Sequence, residues 1–208
     1  MNLIVSPSVT NQTTTIFQRI AEYANKKYGE KHELTAWKTF IPISGVEYPS
    51  NNYVMDIFWP WYCYSWTHEE SNIAFEYLME NYAFLTDIEK LFLGSCIQNE
   101  YSFYQVKQVQ YGQNIVLKDL LSNKEYLVFE HKASMQVLSG DIMFALIAEV
   151  HSLNFIAAGS CKIPSKFSRE IKAFAKTKDS KNSELSRIDK YFEILDQILI
   201  EDSKTIEL

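Results

Sequence analysis

Glycine and proline are scarce in this chain, six and five of 208 residues, which removes collagen-like and low-complexity architectures. Cysteine is scarcer. Cys63, Cys96 and Cys161 are odd in number and far apart, a poor disulfide framework that points to a reducing compartment. No window reaches the ~20 apolar residues that would span a bilayer. Met1 to Pro7 offer neither a basic start nor a long apolar stretch, so no signal peptide is expected. These absences predict a cytoplasmic protein without a transmembrane segment, leaderless secretion being the one export route that leaves no such trace. With four histidines and three scattered cysteines, the ligands for a structural zinc are lacking, and neither a metal nor a cofactor is expected.

What the chain has in plenty is aromatic side chains: 13 Tyr, 13 Phe and 4 Trp. Each ring can bury a large area, so a core of adequate size is easily built. Apolar residues make up 47% and charged residues 22%, ordinary globular values. The net charge of −6 is uneven. Residues 162–181 hold seven Lys or Arg against Glu170 and Asp179, so the remainder is more acidic than the whole. An acidic body argues against general nucleic-acid binding.

Helical spacing of Ile16, Phe17, Ile20, Ala24 and Tyr28 predicts a helix over 12–28, which Gly29 ends in a left-handed conformation. A second short helix is expected at 33–40, with Leu34, Trp37 and Phe40 or Ile41 inward, and Pro42 stops it. Residues 42–56 read as loop, with Val54 to Phe58 a short extended piece. Thr67-His68-Glu69-Glu70 and Thr86-Asp87-Ile88-Glu89 both fit a capping box, worth about 1 kcal/mol each. They predict helices over 68–82, burying Ile73, Ala74, Tyr77 and Leu78, and over 87–98, burying Ile88, Leu91, Phe92 and Cys96.

From Tyr101 the pattern becomes aromatic and β-branched, broken by turn residues. Strands are expected at 103–110, 115–119, 125–131, 142–150 and 155–163, forming an antiparallel meander that curls into a small barrel. Helix returns after Pro164 over 165–176, a polar linker covers 177–184, and a last helix runs over about 184–201. The fold class is therefore α+β: a mainly helical region 1–100, a five-stranded antiparallel barrel-like module 101–163, and C-terminal helices in 164–208.

Within this frame, residues 74–163 resemble an uncharacterised bacterial domain often joined to a C-terminal SEC-C zinc-binding tail. The matching stretches are Ala74-Phe75-Glu76-Tyr77-Leu78, Leu85-Thr86-Asp87-Ile88-Glu89, Ser102-Phe103-Tyr104-Gln105-Val106 and Val116-Leu117-Lys118-Asp119-Leu120-Leu121, followed by Glu130, Ser134 and Ser139-Gly140-Asp141-Ile142. The aromatic segment around Trp61 sits where that family places an aromatic element. No Cys-x-Cys tail follows here, so zinc binding and tail-mediated docking do not carry over. The resemblance implies no particular reaction.

Five candidate sites emerge, each with a structural counterpart. Residues 58–66, with Trp59, Trp61 and Trp66, could stack a planar ligand, or could join the helical half to the β module. Asp119, Glu130 and Asp141 near turns could bind a cation or act as acid and base, or could cap those turns. Cys63 with His68, or Cys161 with His151 or His131, could form a nucleophile and its base, or be buried thiols. Lys166, Arg169, Lys172 and Lys176 could meet an anionic or acidic partner, or be a solvated face. Leu185, Ile188, Phe192, Leu195 and Leu199 repeat at spacings of 3, 4, 3 and 4, which suits a partner helix or homodimer as well as packing on the chain's own domain.

The function expected is a non-enzymatic protein-interaction or adaptor module. The alternative is a small-ligand-binding protein or enzyme with a pocket between segment 58–66 and the β module.

Overall fold

The computed structural model describes residues 7–40, 52–68, 71–177, 184, 186–194 and 197. The first helix, α1, spans Pro7–Phe40 and is broken at Gly29, whose φ of 68° and ψ of −176° belong to a region essentially reserved for glycine. Before the break Ile16, Ile20 and Ala24 face inward, and after it Ala36, Trp37 and Phe40 do so, with Leu34 half-buried.

The piece expected to be loop and extended chain is instead helix α2, Asn52–Tyr64, with Pro60 inside it. Its β-branched residues and proline point away from helix, but Ile57, Phe58, Trp61, Tyr62, Cys63 and Tyr64 are all buried. A helix apolar on nearly every side is a core helix, and tertiary burial overrides its weak propensity.

The first expected capping box is also corrected. Thr67–His68 forms strand β1, paired antiparallel with β2, Ser71–Asn72. Helix α3 starts later, at Ile73–Asn81, capped by Asn72 Oδ1, which accepts from the Phe75 amide at 2.8 Å. Pairing of Thr67 with Asn72 commits the threonine backbone to the ribbon and leaves asparagine, an equally good cap, at the helix start. The second box forms as expected. Thr86 and Glu89 exchange both bonds at the head of α4, Asp87–Gln98, and Glu89 also pairs with Arg19 of α1.

All five expected strands are present: β3 Ser102–Gln110, β4 Asn114–Asp119, β5 Glu125–Phe129, β6 Ile142–Val150 and β7 Leu153–Ile163. They close into a barrel in the order β3-β4-β5-β7-β6. The arrangement β6-β3-β4-β5 is a Greek key, and β7 fills the gap. The barrel is mixed, not antiparallel: β5 and β7 run parallel, paired at Val128 and Asn154. Five is odd, so a closed ring of alternating directions must contain one parallel pair. β5 ends at Phe129, two residues short of the expected strand end, and a short helix α5, His131–Gln136, carries the chain across to β6.

Two cores share one wall. Met143, Ala145 and Ile147 of β6 point into the barrel with Tyr104, Val106, Ile115, Leu117 and Val128. The alternate residues Ile142, Phe144, Leu146, Ala148 and Val150 point outward into the helices. Helix α4 is hooked onto that strand: Ser95 Oγ accepts from the Glu149 amide at 2.7 Å, and Asn99 Nδ2 donates to the Ile147 carbonyl at 3.0 Å. After β7 come a 3₁₀ turn, Ser165–Phe167, and helix α6, Ser168–Lys176. Residues 186–194 form a further helix, α7, whose Tyr191 stacks on Phe144 at 4.9 Å. The fold is α+β, helical at the N-terminal side and again after the barrel, and no helix among the described residues is long and apolar enough to cross a membrane.

Where α2 meets β7 the chains touch backbone to backbone. Pro60 has no N–H to give the Asp56 carbonyl, and Gly159 (φ +55°) lies against that oxygen. A Cβ at position 159 would stand 1.7 Å from Asp56 O. Gly159→Ala is therefore expected to destabilise the protein by about 3 kcal/mol, from overpacking and a strained backbone. Chemical denaturation measures this directly; a change under about 0.5 kcal/mol would mean that the contact is not needed.

Candidate functional site

The aromatic segment is mostly mortar. Phe58, Trp61, Tyr62 and Tyr64 are buried, and Trp59 is partly buried against the same core. Phe58 stacks on Tyr62 at 5.7 Å and meets Trp37 edge-on at 4.8 Å. At the seam between α2 and the barrel, Gly159 lies against the Asp56 carbonyl and Pro60.

Trp66 stands apart from Trp59 and Trp61 because it lines a cleft of about 110 Å³. Three pieces of chain build this cleft. The α1 turn at the Gly29 break supplies Tyr28 and His32, the β1–β2 ribbon supplies His68 and Ser71, and α3 supplies Ile73 and Glu76. Tyr28 stacks on His32 at 4.2 Å, and Trp66 stacks on His68 at 5.4 Å. The His32 ring meets both Trp66 and His68 edge-on at 4.9 Å, and its Nδ1 is 2.9 Å from the Tyr62 hydroxyl.

Glu76 is the charged group of the cleft. Lys27 Nζ donates to its Oε2 at 2.7 Å, the Tyr28 hydroxyl donates to the same oxygen, and the Ser71 hydroxyl donates to Oε1. Burial by itself would push this carboxyl up, but the bonds from Lys27, Ser71 and Tyr28 outweigh it and hold the carboxyl at about 2. Lys27 also bonds the Tyr23 hydroxyl at 2.7 Å and Glu80 at 2.6 Å. These three acceptors raise its pKa.

The three acids near turns do not converge. Asp119, buried, accepts from the Ser102 hydroxyl at 2.9 Å, the Leu121 amide at 2.8 Å and the Ser122 hydroxyl at 2.8 Å, closing the turn after β4. Glu130 caps α5 through the Lys132 amide at 3.0 Å. Asp141 accepts from the Leu138 amide and pairs with Lys162, both at 2.7 Å. Among the described residues no group of three His, Cys, Asp or Glu could hold a metal ion.

The thiol and imidazole pairs do not form either. Cys63 is fully buried, and burial, with the Glu33 charge adding to it, pushes its thiol well above the ordinary range. His68 packs on Trp66 and His32 instead. Cys161 bonds the Lys162 carbonyl at 3.6 Å, whereas His151 sits in the β6–β7 turn and His131 beside Gly112.

Lys166 in the 3₁₀ turn and Arg169, Lys172 and Lys176 on α6 lie exposed, while Phe167 and Ile171 are buried. Of the expected partner-helix stripe, Leu185, Leu195 and Leu199 lie outside the described residues. Ile188 is wholly buried, and Phe192 packs edge-on against Phe40 at 5.0 Å. Glu184 Oε1 accepts from the Ser65 hydroxyl at 3.0 Å and the Tyr101 amide at 3.1 Å, while Arg187 donates to the Tyr101 carbonyl at 2.7 Å. This end of the chain is thereby clamped to the junction between α2 and the barrel.

Sequence reasoning missed a second surface. Phe75, Met79 and Tyr82 follow one another at i, i+4 and i+7 and are exposed by 45%, 60% and 56%; Phe84 is 84% exposed and Leu91 43%. Leu91, expected in the core, points outward. Its neighbour Lys90 lies 4.4 Å from the Tyr82 ring, which brings the start of α4 against the turn after α3.

The Glu76 network carries a pH signature. The folded carboxyl lies near 2 against 4.5 for the free group, so the stabilisation is complete above 4.5 and is lost as pH falls towards 2. Urea denaturation between about pH 6 and about pH 2 should show this loss in the native protein and a shallower one in Glu76→Gln. Identical pH slopes would mean that the network contributes no stability.

No curated protein and no solved structure matches the chain. One family model does, and it spans residues 10–198, from within α1 through the barrel and α7. The chain belongs to DUF7986, a family of unknown function.

Proposed function

We propose that the protein is a non-enzymatic interaction module of the cytoplasm, and that its α3–α4 face receives an amphipathic helix of a partner protein. One observation carries this. Five large apolar side chains within residues 75–91 are exposed, and three of them follow helical spacing. Exposed apolar side chains close together in sequence mark docking sites, and apolar residues at i, i+4 and i+7 form a stripe that an amphipathic partner helix can pack against.

Charge selects the partner. The chain's net charge is −6, so the partner helix should carry Lys or Arg beside its apolar stripe. Self-association through the last helix has less support, because Ile188 and Phe192 are already used within the chain. The enzyme alternative is weakened by thiols kept neutral through burial and by turn-capping acids.

Replacing Phe84 with photoreactive benzoylphenylalanine and irradiating cells that make the protein tests it. The expected adduct joins position 84 to a peptide from a basic amphipathic helix of another protein. Met79→Ser combined with Phe84→Ser should abolish the complex while shifting stability by no more than about 0.5 kcal/mol per site. Adducts only between two copies, adducts to sequences without a helical apolar stripe, or no adduct would each overturn it.

A further inference from the structure

We propose that the basic ridge of α6 is a second docking surface, and that it receives an acidic helical segment of a partner protein. It shares no residue with the α3–α4 face and goes beyond that reading, because the two faces ask for helices of opposite charge.

Spacing makes the ridge. Arg169, Lys172 and Lys176 stand three and four positions apart on α6, and all three are exposed. At 3.6 residues per turn they fall within an arc of about 60° and along about 10 Å of helix axis. Lys166, exposed in the preceding 3₁₀ turn, extends the row at its start. The one other exposed residue of α6 is Ala173, too small to hold a partner away.

The charge of the ridge is unmet. No carboxylate among the described residues pairs with Arg169, Lys172 or Lys176. The single acid of α6, Glu170, is half-buried and is held by Lys190, which also bonds Glu193 at 2.7 Å. Three cations are thus left that no acid of their own helix neutralises.

The backbone of the ridge is fixed before any partner arrives. Phe167 and Ile171 are buried, and Phe174 meets Phe103 edge-on at 6.0 Å. The Thr177 amide and hydroxyl both donate to the Phe174 carbonyl, at 3.0 and 2.7 Å, and close the helix end. Little backbone ordering remains to be paid on binding.

Length and charge favour an acidic helix over an extended polyanion. A helix with Asp or Glu three and four positions apart presents carboxylates at steps of about 4.5 and 6 Å, the same as those of the ridge. Arg169 adds bidentate recognition of one of them. A nucleic-acid strand or an anionic bilayer reaches well past the ridge and meets the rest of a chain whose net charge is −6. Charges more than about 8 Å away are screened at physiological salt, so a short segment on the ridge feels its cations and little of the acidic body.

The test titrates the full chain with five probes at about 10 mM salt, where surface charge is little screened. The first is an alanine-rich helical peptide with three Glu spaced three and four positions apart. The second has Gln in their place, and the third keeps three Glu but scatters them around the helix. A single-stranded oligothymidine and phosphatidylserine vesicles complete the set. Amide resonances of the labelled protein report where each probe binds. The striped acidic peptide should bind with a Kd of about 1 mM or tighter and move resonances within residues 165–177. Its affinity should fall at least tenfold in about 0.3 M salt. The Gln peptide should bind at least tenfold more weakly, and the scattered one several-fold more weakly. Arg169→Gln combined with Lys172→Gln and Lys176→Gln should abolish binding with an unchanged circular dichroism spectrum, since all three side chains are exposed. Met79→Ser with Phe84→Ser should leave binding intact, which separates this proposal from the α3–α4 reading. Equal binding of the Gln or scattered peptide, shifts confined to other elements, full binding by the folded triple variant, tighter binding of oligothymidine or vesicles, or no saturable response would overturn it.

Discussion

The two-sided burial of β6 is the constraint on which the rest of the structure depends. From Ile142 to Ala148 every residue is buried, odd and even positions facing different cores. Burying one such large apolar side chain contributes roughly 1.5–3 kcal/mol, and this strand collects that on both faces. Its backbone is shared as well, with β3 on one side and β7 on the other. The barrel is consequently not a separable module. Its wall is the floor on which α4 and α7 rest, through Ser95, Asn99 and the stacking of Tyr191 on Phe144.

That wall was legible in the sequence, because a run such as Ile142-Met143-Phe144-Ala145-Leu146-Ile147 between turn residues has few other uses. The five strands were legible for the same reason, since turn chemistry at Gly112, Asn123 and Gly140 punctuates them. What alternation and turns do not encode is the closure partner. The parallel pairing of β5 with β7 follows from the parity of the ring, a property of the whole fold and of no residue in it. Helix α2 was illegible for a different reason. Val54, Ile57 and Pro60 disfavour a helix locally, and only the burial of Ile57, Phe58, Trp61 and Tyr62 on opposite sides makes one worthwhile. At Thr67 the local cap signal was sound, but strand pairing of that residue with Asn72 took precedence.

The cleft divides in the same way. Trp66 was a candidate together with Trp59 and Trp61, while Tyr28, His32 and Glu76 gave no joint signal, since α1 and α3 bring the first two to Glu76 across 44 or more positions of sequence. The exposed face was half legible. Ile73, Ala74 and Tyr77 were expected inward and are buried, and the same helical wheel turns Phe75, Met79 and Tyr82 the other way. A surplus of apolar residues beyond what one face can bury is the sequence signal for such a surface.

Electrostatics separates the aromatic interior from the aromatic edge. Inside, burial pushes the Cys63 and Cys96 thiols and the Tyr64 and Tyr101 hydroxyls well above their ordinary values, so each stays neutral and the core carries no reactive anion. Burial likewise raises the Glu184 carboxyl at the clamp, though the Tyr101 amide and Ser65 hydroxyl oppose the shift. At Glu76 the balance reverses, because three donors outweigh desolvation and keep the carboxyl ionised. Rings that would be inert packing elsewhere stand there beside a charge that burial has not neutralised. At the edge that charge is met by Lys27, whereas the neutral interior, with the same rings, attracts only other apolar groups.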